Sequence, residues 1–180
     1  MSKISKLDAA RRQLETAINL FFRDADAVAI HSLAFAAHRV LVDICRTTGK
    51  DSILKGDWIL EKLGKDKRSE WLGMINEAAN FLRHAEDDPS EFLNFDPSSN
   101  DIFLLDSVEM YMQLASEAPS LLAAFRCWFL MKYPDLLSDE VRQKALANPA
   151  AKVLRPENKA AFLDFAHTIE GSRYGVSERV

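Results

Sequence analysis

The sequence has little of what interrupts helices. Only six glycines and six prolines occur among its 180 residues, and no segment shows the apolar–polar alternation of a half-buried strand. Its two cysteines, Cys45 and Cys127, do not belong to a Cys-x-x-Cys pair. That spacing argues against a thiolate zinc site and predicts buried free thiols. An all-α fold is therefore predicted.

An excess of positive charge is also missing. Lysine and arginine number 23 against 27 acidic residues, which gives a formal net charge of −4. This charge balance predicts neither a DNA-binding signature nor a protein surface that binds anionic membranes. Residues 1–6 lack the apolar core of a signal peptide, and the longest low-charge stretch, 27–37, is too short to span a membrane. These features predict a cytoplasmic protein.

Three common catalytic and nucleotide-binding motifs do not occur in the sequence. There is no P-loop, no Gly-x-Gly-x-x-Gly and no Gly-x-Ser-x-Gly, so neither a phosphate-cradling loop nor a nucleophile elbow is indicated. No cofactor is predicted, and whether the protein is an enzyme is left open.

Helical periodicity predicts a single-domain bundle of about six to eight helices over residues 1–170, with a flexible tail at 171–180. The expected helices cover 7–22, 24–46, 58–63, 69–86, 102–116, 119–133, 138–147 and 157–170. Asp24 is predicted to cap the second helix, Gly64 to end the third, and Asn100 or Asp101 to cap the fifth. The second helix, which stops near Gly49, is apolar round most of its girth, and this favours a central position.

Polar residues that can carry chemistry fall on two of these helices. His31 and His38 are seven residues apart and share one stripe of the second helix. The helix at 69–86 carries a second polar stripe, made of Glu77, Asn80, His84 and Asp88, with Arg83 beside it. If the two helices pack side by side, the histidines and Asn80 converge.

Three interpretations of these residues stay open. In the first, the stripe is an ordinary solvated helix face, and His31 and His38 lie at the edge of the core with their hydrogen bonds satisfied. In the second, these residues form a polar pocket or active site. In such a pocket a histidine exchanges protons near neutral pH, Asn80 orients His84, and Arg83 neutralises a phosphate. The third interpretation is a metal site. It is weakened because a seven-residue spacing separates two ligands by about 10 Å along a helix, so no metal is predicted.

The segment NFLRHAEDDP, in a small helical bundle, resembles the HEPN superfamily. The resemblance implies a compact bundle that usually dimerises and, in many members, metal-independent ribonuclease activity. The family signature is an arginine followed after four to six residues by a histidine, with a polar residue directly after the arginine. Matched this way, Asn80 is the polar residue and His84 the catalytic acid/base, but Ala79 stands where the arginine belongs.

The resemblance thus implies a nucleotide- or RNA-associated protein that lacks the complete ribonuclease motif. The whole chain also resembles an uncharacterised bacterial helical family, and a homodimer is expected. The alternatives are a small-molecule or metal-dependent enzyme that uses the cluster of His31, His38, Glu77 and His84, or a structural protein-interaction module.

Overall fold

Helices account for all the regular structure in the part of the chain that the structure describes. This structure, a computed structural model, describes residues 3–84, 89–136, 139–140, 143 and 153–175, with the backbone alone for 57–66 and 171–175. Its helices are α1 (Lys6–Phe22), α2 (Ala27–Thr48), α3 (Asp57–Phe81), α4 (Ser99–Ala115), α5 (Ser120–Lys132) and α6 (Lys159–Gly175), with a 3-10 turn at Pro134–Leu136. The all-α prediction is confirmed.

α2, whose apolar girth predicts a central position, packs mainly against two other helices. It packs along α1 on one side and along α4 on another, while α5 pairs with α6. Its narrow wet face is formed by exposed side chains: Ser32, Arg39, Asp43 and Arg46. By length and composition α2 is long and apolar enough to cross a membrane, but half of that stretch is buried inside the protein, and a core helix meets the same criteria.

The core is built from large side chains that α1, α2, α4, α5 and α6 contribute. The largest fully buried apolar ones are Trp128, Phe22, Phe125, Phe162, Leu14, Ile18, Leu41, Leu104, Met110 and Leu122. Phe21 meets Trp128 edge to face, with ring centroids 4.7 Å apart, a preferred aromatic geometry. Cys45 is buried and Cys127 is half-buried, and both thiols are free.

One residue caps each end of α2. The N-terminal cap acts through its side chain, and the C-terminal cap acts through its backbone conformation. Asp26, not the predicted Asp24, is the N-cap, and it accepts the amide of Ala29 at 2.8 Å. Asp24 instead takes a positive φ of 50° just after α1. Gly49 ends α2 in the left-handed conformation with φ 67°, which costs glycine little because it has no Cβ.

α3 corrects two expectations about the middle of the chain. It is one continuous helix of 25 residues, so Gly64 does not end a short helix. A glycine within a helix costs only about 1 kcal/mol, which neighbouring turns can offset. α3 also ends at Phe81 rather than near residue 86, and the amides of Arg83 and His84 after it both donate to the carbonyl of Asn80.

α4 begins at Ser99, before the predicted caps. Asn100 and Asp101 lie inside the helix and are buried, because their side chains bond to other elements: Asn100 to α2, and Asp101 to Tyr133. Toward the C-terminus, most of the helix predicted at 138–147 lies outside the described residues. α6 continues to Gly175, five residues into the predicted tail.

Candidate functional site

Three pairs of side chains join α2 to α4 across a buried seam. The α2 members are spaced four and three residues apart and the α4 members three and three apart, so each set forms one helical stripe. The pairs are His31–Asn100, Phe35–Phe103 and His38–Asp106. The middle rings lie 5.6 Å apart, and the Phe103 ring also meets both imidazoles edge on at 5.3 Å. Two polar pairs thus flank an aromatic one.

The His38 end of the seam anchors the loop before α3. Asp106, fully buried, accepts hydrogen bonds from His38 Nε2 at 2.8 Å, Ser52 Oγ at 2.6 Å and the amides of Ile53 and Leu54 at 2.7 and 3.2 Å. Burial alone would raise the pKa of this carboxyl, but the bonds from His38, Ser52 and Ile53 outweigh burial and hold the pKa below 3.8. Asp106 is therefore an ionised acceptor that fixes α2, α4 and the loop together.

The His31 end has a defined tautomer. The amide nitrogen of Asn100 donates to the carbonyl of Ala27 at 3.0 Å, so the amide oxygen of Asn100 must face His31 Nδ1, 2.9 Å away. Because an oxygen only accepts, Nδ1 carries the proton. Burial lowers the pKa of His31 and Arg83 lowers it further, so the ring is neutral and Nε2 presents a lone pair. No described residue donates a hydrogen bond to that nitrogen.

A buried lysine reaches the same seam. Lys55 is only 7% exposed; its Nζ lies 4.9 Å from the centroid of the Phe35 ring and donates to Asn76 Oδ1 at 2.7 Å. Burial, followed by repulsion from Arg39 and Arg46, lowers the pKa of Lys55 to about 8. The amine thus lies in a region where positive charge already accumulates.

Arg83 brings a second cation to the Phe35 ring. Its Cζ lies 4.7 Å from the ring centroid, and its Nε–H donates to the carbonyl of Ala79 at 3.0 Å. Cations over an aromatic face are stabilised by the ring quadrupole. We name Phe35 and four side chains around its ring, which are His31, His38, Lys55 and Arg83, the Phe35 cluster.

A separate groove of about 430 Å³ lies on the outer side of α3, between the helix and the segment after it. It is lined by Gly73, Glu77, Asn80, Phe81, His84, Glu91, Phe92 and Leu93. Phe92 is 96% exposed, which is unusual for an aromatic side chain. The groove combines two carboxylates with an apolar wall, so it differs in charge from the Phe35 cluster.

The structure distributes the residues predicted from sequence over these two places. The Phe35 cluster contains His31, His38 and Arg83, and the groove contains Glu77, Asn80 and His84, while Asp88 lies outside the described residues. The hydrogen bonds and ring contacts of the two buried histidines involve α2, α4 and Phe95, not Asn80 or His84. The expected convergence of these residues in one cavity is not observed.

The metal interpretation concerned the same histidines. Among the residues that the structure describes, no group of three or more His, Cys, Asp or Glu side chains is placed to hold a metal ion. His31 and His38 each face a different α4 side chain instead.

Sequence reasoning missed the partners that make the Phe35 cluster. Asn100 and Asp106 are polar residues six apart in a helix rich in apolar residues, and with Phe103 midway between them they form one row of side chains that can face His31 and His38. This signal was available. Lys55 gave none, because a single lysine before a glycine looks like an ordinary surface residue.

Comparisons with protein-family models, with curated proteins and with solved structures find no match for this chain. The geometry of the site therefore carries the functional argument.

Proposed function

We propose that the protein is a nucleotide- or RNA-associated protein that lacks a complete ribonuclease motif and binds phosphate at the Phe35 cluster. One observation carries this proposal: Lys55 and Arg83 both lie over the ring of Phe35. Two more cations, Arg39 and Arg46, are close enough to lower the pKa of Lys55. This gathering of cations occurs in a chain whose net charge is −4.

The two cations have complementary chemistry for a phosphate. The guanidinium of Arg83 uses its Nε–H on a backbone carbonyl, and within the described part of the chain its terminal nitrogens make no hydrogen bond. Those nitrogens form a planar fork that matches two phosphate oxygens. Lys55 supplies a point charge from a nearly dry position, where an ion attracts its partner more strongly than in water.

Ala79 supports binding without cleavage. It occupies the position of the signature arginine, it is buried, and its carbonyl holds Arg83. We extend the proposal to a HEPN-like bundle that acts as a homodimer in a bacterial cytoplasm. The homodimer and the bacterial origin rest on the sequence resemblance, and the cytoplasmic location is the expectation from the sequence composition.

The test is a calorimetric titration of the full chain with adenosine monophosphate and with a short RNA, in metal-free buffer. Arg83→Met should weaken binding by about tenfold or more, because a charged hydrogen bond contributes about 1.5–3 kcal/mol. The matched control is Arg23→Met, an exposed arginine directly after α1 whose guanidinium donates to Asn19, and it should bind like the parent. Absence of binding, or equal affinities in both variants, would refute the proposal.

A second candidate function, a protein-interaction module, is favoured by the groove. Phe92 is 96% exposed and Met74 on α3 is 59% exposed, and the groove also carries Glu77 and Glu91. Apolar anchors beside carboxylates suit a peptide that has apolar and basic residues. Phe92→Ser should abolish capture of such a peptide and leave nucleotide affinity unchanged, whereas an unaffected peptide complex would exclude the groove.

A further inference from the structure

Nε2 of His31 and Nδ1 of His38 are the two ring nitrogens of the Phe35 cluster that have no hydrogen-bond partner among the described residues. The argument for a ligand concerns His31, because the charge of Arg83 acts on its ring. His31 is 1% exposed, its Nδ1 is occupied by Asn100, and no described donor reaches Nε2. A buried polar group without a partner costs about 1–3 kcal/mol. A ligand that brings a donor to this nitrogen recovers that free energy on binding.

The surroundings of His31 restrict what the donor can be. Three aromatic rings, those of Phe35, Phe95 and Phe103, contact the imidazole, and the charge of Arg83 acts on it and lowers its pKa. Aromatic walls supply no conventional donor, while Arg83 attracts anions. The group that fits is an anion that also carries a proton.

We propose that the phosphate bound by Arg83 and Lys55 is a protonated one, and that its P–O–H group donates a hydrogen bond to Nε2 of His31. The proposal rests on the proposed function and narrows its ligand. The class is inorganic phosphate or a phosphate monoester, such as the end of a nucleotide, and not the diester of an internal RNA linkage.

The site should distinguish these ligands by whether they carry a P–O–H group. Inorganic phosphate carries at least one hydroxyl near neutral pH, and a monoester is about half protonated near pH 6. Sulfate and phosphodiesters have no hydroxyl there, so they would set an oxygen lone pair against the lone pair of Nε2. A site that is built to hydrogen-bond a ligand hydroxyl rejects a ligand without one, because the buried acceptor, here Nε2, is then left unpaired.

We expect Phe95 to affect how a ligand reaches this nitrogen, because its ring contacts the imidazole of His31. It is half-buried, belongs to the non-helical segment before α4, and lies edge on to the imidazole with ring centroids 5.3 Å apart. The ligand reaches Nε2 when this side chain moves aside. Phe95→Ala should therefore speed association of phosphate without reversing the preference over sulfate.

The experiment titrates the full chain at pH 6 with phosphate, sulfate, adenosine monophosphate and dimethyl phosphate at equal ionic strength. The parent should bind phosphate about tenfold or more tightly than sulfate, and adenosine monophosphate more tightly than the diester. His31→Phe keeps the ring volume but removes the acceptor, and it should lose the preference while sulfate affinity stays. His167→Phe, an exposed histidine on α6, is the matched control and should keep the preference.

Nitrogen NMR of the parent with labelled histidine keeps the test valid even if His31→Phe does not fold. Nε2 of His31 should be unprotonated in the free protein, and its signal should shift with phosphate but not with sulfate. A protonated Nε2 in the free protein, or equal binding of phosphate and sulfate with no shift, would overturn this inference and leave the proposed function standing. No binding of any anion would defeat both. Tighter binding of adenosine monophosphate than of phosphate would identify a nucleotide as the source.

Discussion

Removing the Asp106 carboxylate should be among the most damaging single changes in this bundle. Asp106→Ala deletes the acceptor of four hydrogen bonds, from His38, Ser52, Ile53 and Leu54. Each such bond contributes about 1 kcal/mol, and each donor left dry costs about 1–3 kcal/mol, although water entering the gap relieves part of this. We expect a loss of about 4 kcal/mol in the free energy of unfolding.

The assay is urea unfolding followed by circular dichroism and by tryptophan fluorescence, with Asp43→Ala as the matched control. Asp43 is 57% exposed in its side chain and lies 3.8 and 3.7 Å from Arg39 and Arg46. Exposed pairs of this kind contribute about 0–1 kcal/mol, so the control should unfold close to the parent. A loss below about 1 kcal/mol for Asp106→Ala, no larger than the control, would refute the reasoning that this residue fixes α2, α4 and the α3 loop.

The remaining predictions concern titration and backbone conformation. The folded pKa of His31 is depressed below 6.5, so the contribution of His31 to stability is present above pH 6.5 and is lost as the pH falls below that value. His31→Phe should therefore make the free energy of unfolding depend less on pH below 6.5, as measured by urea unfolding at several pH values. An unchanged slope would contradict the assignment. Lys55 should titrate near pH 8 rather than 10.5 in a carbon NMR titration of labelled lysines, and Arg83→Met should move that midpoint upward because it removes a repelling cation. Gly49→Ala should lower the free energy of unfolding by about 1 kcal/mol because φ at this position is +67°. Gly73→Ala, in an exposed part of α3 with open space where the Cβ would lie, should raise it by about 0.5–1 kcal/mol. Equal effects of the two substitutions in thermal unfolding would show that neither backbone argument holds.

The sequence predicted the parts of the fold that depend on local periodicity. Gly49 predicted the end of α2, because a residue without a Cβ suits the left-handed conformation that follows a helix. Where competing contacts decide, sequence reasoning failed. Asn100 looks like a helix cap, but its side chain is used on His31, so α4 starts earlier. Gly64 looks like a stop, but a single glycine does not overcome the turns on either side of it.

The candidate site divides in the same way. His31 and His38 were singled out correctly as residues on one stripe, because a seven-residue spacing is a local property. Their partners could not be identified, because the pairing of α2 with α4 depends on tertiary packing. Asn80 and His84 line the groove instead of contacting the histidines, because the face that α3 turns toward the bundle also depends on tertiary packing.

The most direct test of the central claim is a crystal structure of the protein with adenosine monophosphate. The account predicts a phosphate whose oxygens lie about 3 Å from the terminal nitrogens of Arg83 and from Nζ of Lys55. A phosphate bound instead beside Arg11 and Arg12, in the groove of about 700 Å³ between α1 and α6, or a nucleotide held only by the groove at Phe92, would contradict it.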